Sequence, residues 1–323
     1  MEGNLSLIRN PKGFNWDFSF NASLVHNKII KLPYNGNENN RQGGTQVFDP
    51  KTQQVIWVGG YQEGHTMGDI YAYKQVKILS DWNEVNTMAG DYIDMIAGLY
   101  GPNVSDADKK KYGLTKPIEP GDVLWADLDG NHKIDQLDRV KVGNIYPKWT
   151  GGFSTTLSYK NVSLYGRFDF ALGHTILNMV AMRSLGQSVG FKNIIKEGLK
   201  TWTEENTNTD LPKSYYDDST NKKNIYRDTK GSDITSVNDR SSRFYEKGDY
   251  LALRELTLNW KLPVNWISKV GMTNASVYIT GQNLFYITGY SGSSPEAPLT
   301  YPGVDAGRYP TPRTVLVGAS VSF

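Results

Sequence analysis

The sequence predicts an all-β fold: a run of long antiparallel strands, each with one apolar and one polar face, joined by long loops at one end. Three observations lead there. Several segments alternate apolar and polar residues for nine or more positions, the period of a strand whose two faces meet different surroundings. Aromatic residues make up 12% of the 323 residues, 20 of them tyrosine. No apolar run approaches the ~18–20 residues of a membrane-crossing helix, so any membrane passage is by strands.

The elements follow in order. A weak strand over 3–9 opens the chain, and a strong one from Asn15 to Val25 places Trp16, Phe18, Phe20, Ala22 and Leu24 on one face. Residues 27–66 are rich in Asn and Gly and read as a long loop. A weak strand is expected over Met67–Ile78, followed by a second long loop over 79–147. Gly152–Tyr159 sets Phe153, Thr155, Leu157 and Tyr159 against Ser154, Thr156 and Ser158. A turn at Lys160–Asn161 feeds Val162, Leu164, Gly166, Phe168 and Phe170, with Arg167 and Asp169 on the opposite face. Residues 174–205 leave the strand pattern: Ile176, Leu177, Val180 and Leu185, then Ile194, Ile195, Leu199 and Trp202, are spaced for short amphipathic helices. The polar stretch 206–242 is a surface excursion. Strands at Tyr250–Leu262, Ala275–Ile287 and Val315–Phe323 complete a set of eight.

Strands of this length suit a tilted membrane strand of ~9–11 residues. A β-sandwich with one solvated face produces the same alternation. Strand length, aromatic ends (Trp149, Tyr159, Tyr250, Trp260), small polar residues on the second face and a terminal Phe323 closing a nine-residue alternation favour a membrane barrel. One side of long loops and one of short turns is the asymmetry of such barrels.

Charge and composition exclude several functions. Thirty-five basic and 33 acidic residues leave +2, too little field for nucleic acid. With no cysteine, disulfide frameworks, cysteine zinc sites and thiol catalysis are excluded. The histidines His26, His65, His132 and His174 accompany no nucleophile motif, and no phosphate or dinucleotide loop occurs, so no enzyme is expected. Loop aromatics Trp57, Tyr61, Tyr71, Trp82, Trp125, Tyr215 and Tyr216 are candidates for stacking on ligand, or for loop packing.

The sharpest chemical pattern runs Asp127-Leu-Asp129-Gly-Asn131-His-Lys133-Ile-Asp135-Gln-Leu-Asp138. Oxygen-bearing side chains at loop positions 1, 3, 5, 9 and 12, with the Lys133 carbonyl at 7, are spaced to wrap a hard cation such as Ca²⁺ in a structural role. His132 stands where a glycine makes the sharp turn, and Asp138 where a longer Glu is usual. The competing reading is a polar turn whose Asp and Asn satisfy their own backbone.

Beyond these single features, a set of motifs in fixed order resembles the C-terminal part of a SusC/RagA-type TonB-dependent outer-membrane transporter of Bacteroidetes. Its carriers are Pro120-Gly-Asp-Val-Leu-Trp-Ala-Asp127 running through Arg139, Gly143-Asn144 and Pro147-Lys-Trp-Thr-Gly-Gly-Phe153. Trp202-Thr-Glu-Glu-Asn-Thr-Asn208, Tyr250-Leu-Ala-Leu-Arg254, Gly281-Gln-Asn-Leu284 and the stretch Pro312-Arg313 to Phe323 complete them. The resemblance covers residues 1–323. It implies the C-terminal portion of a barrel of about 22 strands, without plug or TonB-binding segment, and a chain that is a fragment. It further implies the cell outer membrane, and import of glycan or peptide oligomers with a SusD-like surface lipoprotein as lid and TonB supplying energy through the missing part. On this reading the loops face lid and ligand while Arg167 and Asp169 line the lumen. The alternative is a secreted β-sandwich glycan-binding module with a dockerin-like calcium loop, which requires a helix directly after Asp138.

Overall fold

The computed structural model describes residues 2–8, 13–186, 195–215, 241–296 and 302–323, without the side chains of 4–8 and 186. Among these, seven strands form one antiparallel sheet: β1 (Glu2–Ile8), β2 (Phe14–Leu24), β3 (Trp149–Tyr159), β4 (Val162–Leu172), β5 (Tyr250–Lys261), β6 (Asn274–Thr288) and β7 (Thr314–Ser322). Each pairs with the next in the chain, so β1 and β7 are edges and the sheet does not close on itself.

Register turns the alternation into two continuous faces. Trp149 lies opposite Leu24 and Leu172, Phe153 opposite Phe20 and Phe168, and Leu157 opposite Trp16 and Leu164. The row continues through Leu164–Leu258, Leu258–Ile279 and Ile279–Val317. The rings of Phe153 and Phe168 stack at 4.6 Å, and the Trp16 indole donates to Thr155 Oγ1 at 2.8 Å, which satisfies its one polar atom on an apolar face. Gly151 permits the close approach of β2, since a Cβ there would lie 2.3 Å from the Asn21 carbonyl oxygen. This apolar face is not covered: Leu258 and Ile279 are each 45% exposed and Val317 79%.

The connections are unequal. Lys160–Asn161 and 262–273 turn the chain at one end of the sheet, the end where β1 passes to β2. Residues 25–148, 173–249 and 289–313 do so at the other. The buried core lies in these long connections. Tyr73, Leu79, Val85, Leu99, Trp125 and Ile134 pack together, and Trp202 joins them from the second connection, its indole donating to the Ser80 carbonyl at 3.1 Å. A helix at Trp82–Met88 starts at Asp81, whose carboxylate accepts from Glu84 N. A second at Asp106–Tyr112 starts at Ser105 and stops at Gly113 in the left-handed conformation.

Two expectations are corrected. Met67–Ile78 is no strand of the large sheet. It breaks at Lys74 into Asp69–Tyr73, paired with Arg139–Asn144, and Gln75–Ile78, paired with Val123–Trp125. Most of its apolar residues are spent on the loop core: Ile70 and Ala72 have no exposure, Tyr73 has 1% and Ile78 4%. The helices expected over 174–205 begin later, because Thr175–Asn178 is a strand buried at every position and paired with Tyr245–Lys247. A helix follows at Met179–Gly186 and a 3-10 turn at Lys196–Lys200, while Ile194 lies outside the described residues.

Candidate functional site

The second face of the sheet is polar. Ser154 sits opposite Ser19 and Arg167, Arg167 opposite Glu255, and Thr257 opposite Thr280, their hydroxyls 2.8 Å apart. Asn21, Ser154, Tyr165, Arg167, Asp169 and Arg254 line a concavity of about 770 Å³. The Arg167 side chain is 57% exposed, and its guanidinium reaches only to 3.9 Å from Glu255, which leaves it open to a ligand in the concavity.

Arg254 occupies a β-bulge. The ladder passes from Arg167–Glu255 to Phe168–Leu253, so Arg254 has no partner across β4, and the extra residue re-aims its side chain. The guanidinium makes a fork on Asp169, with Nη2 2.9 Å from Oδ2, and binds Glu296 and the Tyr286 hydroxyl (3.1 Å). Tyr286 also donates to Glu296 at 2.8 Å, and Arg308 donates to the Glu296 carbonyl. His174 is buried against the same segment. Its Nε2 lies 3.2 Å from the Pro295 carbonyl, which only accepts, so that nitrogen carries the proton. Residues 289–296 are thereby strapped to the polar face where the long connections begin. The sequence signal for this strap was slight: Arg254 sits inside an apolar alternation, a charge that a half-apolar strand has no other reason to hold.

The aspartate loop folds compactly. Asp127, Asp129 and Asp138 each bring a carboxylate oxygen within 4.8 Å of the others. Asp127 accepts from the backbone N–H groups of Gly130 and His132, at 2.9 and 2.7 Å. Asn131 donates to Asp129 and accepts from Lys133 N, while Asp135 caps the 3-10 turn Gln136–Asp138 by accepting from Leu137 N. The cluster thus unites three of the six expected residues. The side chains of Asn131 and Asp135 are engaged with the loop's own backbone, and Lys133 lies on a short strand beside Ile93. His132 takes the left-handed φ of +60° that the turn demands, and its Nδ1 lies 2.9 Å from Asp91. Asp138 is 1% exposed. Burial, then the neighbouring Asp135 and Asp127, pushes its carboxyl up to about 6, and burial also raises Asp129. The three carboxylates also accept from the loop, Asp138 from Leu128 N and Asp135 N and Asp129 from Asn131, so the loop gathers oxygen ligands of the kind a hard cation takes while satisfying its own backbone.

The loop aromatics divide. Trp125 is core. Tyr215 donates to Asp122 at 2.6 Å, and burial raises its pKa. Burial and Asp69 push Tyr71 up to about 12. Trp57 lies under the Arg41 guanidinium at 3.8 Å. Tyr61 and Trp82 are more than half exposed, and Tyr216 lies outside the described residues.

Comparison with known proteins adds to this geometry. No family model matches the chain. TonB-dependent receptor P3 of Formosa agariphila is 30% identical over 319 residues, spanning 96% of this chain and 27% of the receptor. Over nearly its whole length this chain is similar to TonB-dependent receptors. The TonB-dependent receptor SusC of Bacteroides thetaiotaomicron is 24% identical over 324 residues, 97% of the chain and 25% of SusC. The chain therefore spans about a quarter of the length of these receptors. In fold it matches the RagAB peptide transporter with a TM-score of 0.62 at 20% identity, over all of this chain and 28% of that one. The sheet is accordingly a wall segment of a large outer-membrane barrel, and the relatives are receptors and transporters.

Proposed function

We propose that the chain is the C-terminal wall and outer loops of an outer-membrane transporter that imports glycan or peptide oligomers. A SusD-like surface lipoprotein captures the ligand above the loops, and TonB drives import through the remainder of the barrel. One observation carries this reading. The sheet exposes its apolar face while the buried core sits in the loops, the reverse of a water-soluble sheet and the arrangement a lipid-facing wall requires. The polar face, with its open Arg167, then lines the passage.

A β-sandwich module is not favoured. Among the described residues no second sheet packs on the apolar face, and Asp138 leads into the strand Arg139–Asn144 rather than a helix.

The aspartate loop we read as a structural Ca²⁺ site. Asp127, Asp129 and Asp138 would hold the ion, which would neutralise their repulsion and pin the loop that carries Trp125.

Deleting the gene and measuring uptake of fluorescent oligopeptides and oligosaccharides tests the transport reading. Loss of uptake of one class, reproduced in wild-type cells by collapsing the proton gradient, is the expected result. Unchanged uptake of both classes would refute it.

A further inference from the structure

The turn between β5 and β6 differs from the Lys160–Asn161 turn at the same end of the sheet. Instead of a tight reversal, residues 262–273 form a helical turn at Val264–Ile267 that continues as a 3-10 turn at Ser268–Val270. Part of its backbone is bonded within the turn. Trp266 N donates to the Pro263 carbonyl at 2.9 Å and Met272 N to that of Ile267 at 3.2 Å, and Gly271, at a φ of +76°, closes the turn in the left-handed conformation. Ile267 is buried and anchors the element. The remaining apolar side chains are not: Val264 is 67% exposed, Trp266 61% and Val270 63%.

Its position decides what those side chains meet. Trp266 packs edge-on against Trp260, with ring centroids 6.1 Å apart. Trp260 belongs to the apolar face, since it lies opposite Val162 on β4 and Val277 on β6. The turn is therefore continuous with the lipid-facing side of the wall. It carries a single charge, the positive Lys269, and no acidic residue. An apolar, indole-bearing, mildly cationic element whose helical start carries no side-chain cap is matched to the layer where acyl chains meet wet, anionic headgroups.

We propose that the turn 262–273 is an interfacial foot, seated in the phospholipid headgroup layer at the short-turn end of the wall. The foot fixes the height of β5 and β6 in the membrane. These two strands carry Arg254 and Tyr286, so it also sets the depth at which the strap 289–296 is held. The proposal rests on the reading of the sheet as a lipid-facing wall, and its test separates the two.

The chain has no cysteine, so a nitroxide attached through Val264→Cys or Val270→Cys is unique within it, and both sites are exposed enough to accept the label without disturbing the fold. Ile279→Cys, in the middle of the apolar face, is the control. The membrane-embedded protein is reconstituted in phosphatidylethanolamine–phosphatidylglycerol vesicles, and collisions of the label with oxygen and with an aqueous nickel chelate are compared. The expected result is a ratio of oxygen to nickel collisions at 264 and 270 several-fold above that of a label at Lys51 in the exposed loop, and below that at 279. An aqueous ratio at 264 and 270 with a lipid ratio at 279 overturns the foot and leaves the wall. Shelter from both reagents at 264 and 270 also overturns it, because protein then covers the turn. An aqueous ratio at 279 overturns the wall and the foot together.

Discussion

Replacing Arg254 by methionine removes the fork on Asp169 and the contact with Glu296 while keeping an unbranched apolar stem in the bulge. Breaking a fully buried ion pair costs about 3–5 kcal/mol, because the abandoned charge remains out of water. Here the Arg254 side chain is 19% exposed, Asp169 34% and Glu296 31%, so solvent screens part of that cost. A local loss of about 2 kcal/mol is expected, which is roughly a 30-fold rise in the open population of the segment. The effect is directional. Ser291 is held separately, its N–H donating to Glu246 at 2.8 Å and its hydroxyl accepting from Asn178 at 3.0 Å, whereas the Glu296 carboxylate is held by Arg254 and Tyr286, with Ser294 and Arg308 on its backbone. Hydrogen exchange read by mass spectrometry on overlapping peptides is the assay: amides near Glu296 should exchange tens of times faster and those near Ser291 far less changed. Arg254→Lys keeps the charge without the fork and should fall between. A change of under about threefold near Glu296, or an equal change at both ends, refutes the strap.

Other outcomes follow from the same geometry. Phe153→Lys puts a charge on the lipid face, at a cost of about 2–4 kcal/mol near the membrane midplane. Ser154→Lys, one residue on, faces the polar side and should be tolerated; heat-modifiable gel mobility of the assembled barrel reads the contrast. Asp129→Asn combined with Asp138→Asn should abolish terbium luminescence excited through Trp125. It should also remove the thermal stabilisation by Ca²⁺, about 2.7 kcal/mol at a hundred times the dissociation constant. Glu84 is held below its ordinary value of 4.5, first by the hydrogen bond from Lys77 and then by Ser80 N–H. A depressed carboxyl stabilises the fold above its unfolded pKa and loses that contribution as pH falls through the folded value. Protection factors in the helix Trp82–Met88, with each rate divided by the intrinsic exchange rate at that pH, should therefore fall as the pH drops below about 4.5, and Glu84→Gln should flatten that dependence.

The wall was legible in the sequence because lipid on one side and water on the other write a period of two into every strand, as from Trp16 to Leu24. Met67–Ile78 carried a similar apolar content and misled. Alternation records that a face is covered, without recording whether lipid or protein covers it, and here Trp125 and its neighbours do. Thr175–Asn178 is buried on all sides and so shows no period at all, which is why its apolar residues read as the start of a helix. In the aspartate loop, spacing offered both a cation site and a turn satisfying its own backbone and could not separate them, since an Asx turn and a cation ligand use the same side chains, and the structure shows converged carboxylates that also accept from loop N–H groups. Arg254 depends on a bulge, a shift of register between two strands, and register is a property of the pair.

Residues 25–148 separate two strands that must pair directly, with Leu24 beside Trp149. An unstructured excursion of that length makes such a pairing slow, because the ends must find one another at random before any ladder bond rewards the meeting. The excursion has its own core, and its two ends meet where Val25 N donates to the Lys148 carbonyl at 2.9 Å. If it condenses first, it delivers β2 and β3 already side by side, so most of the entropy of closing the chain is spent by local folding in water before the hairpin enters lipid.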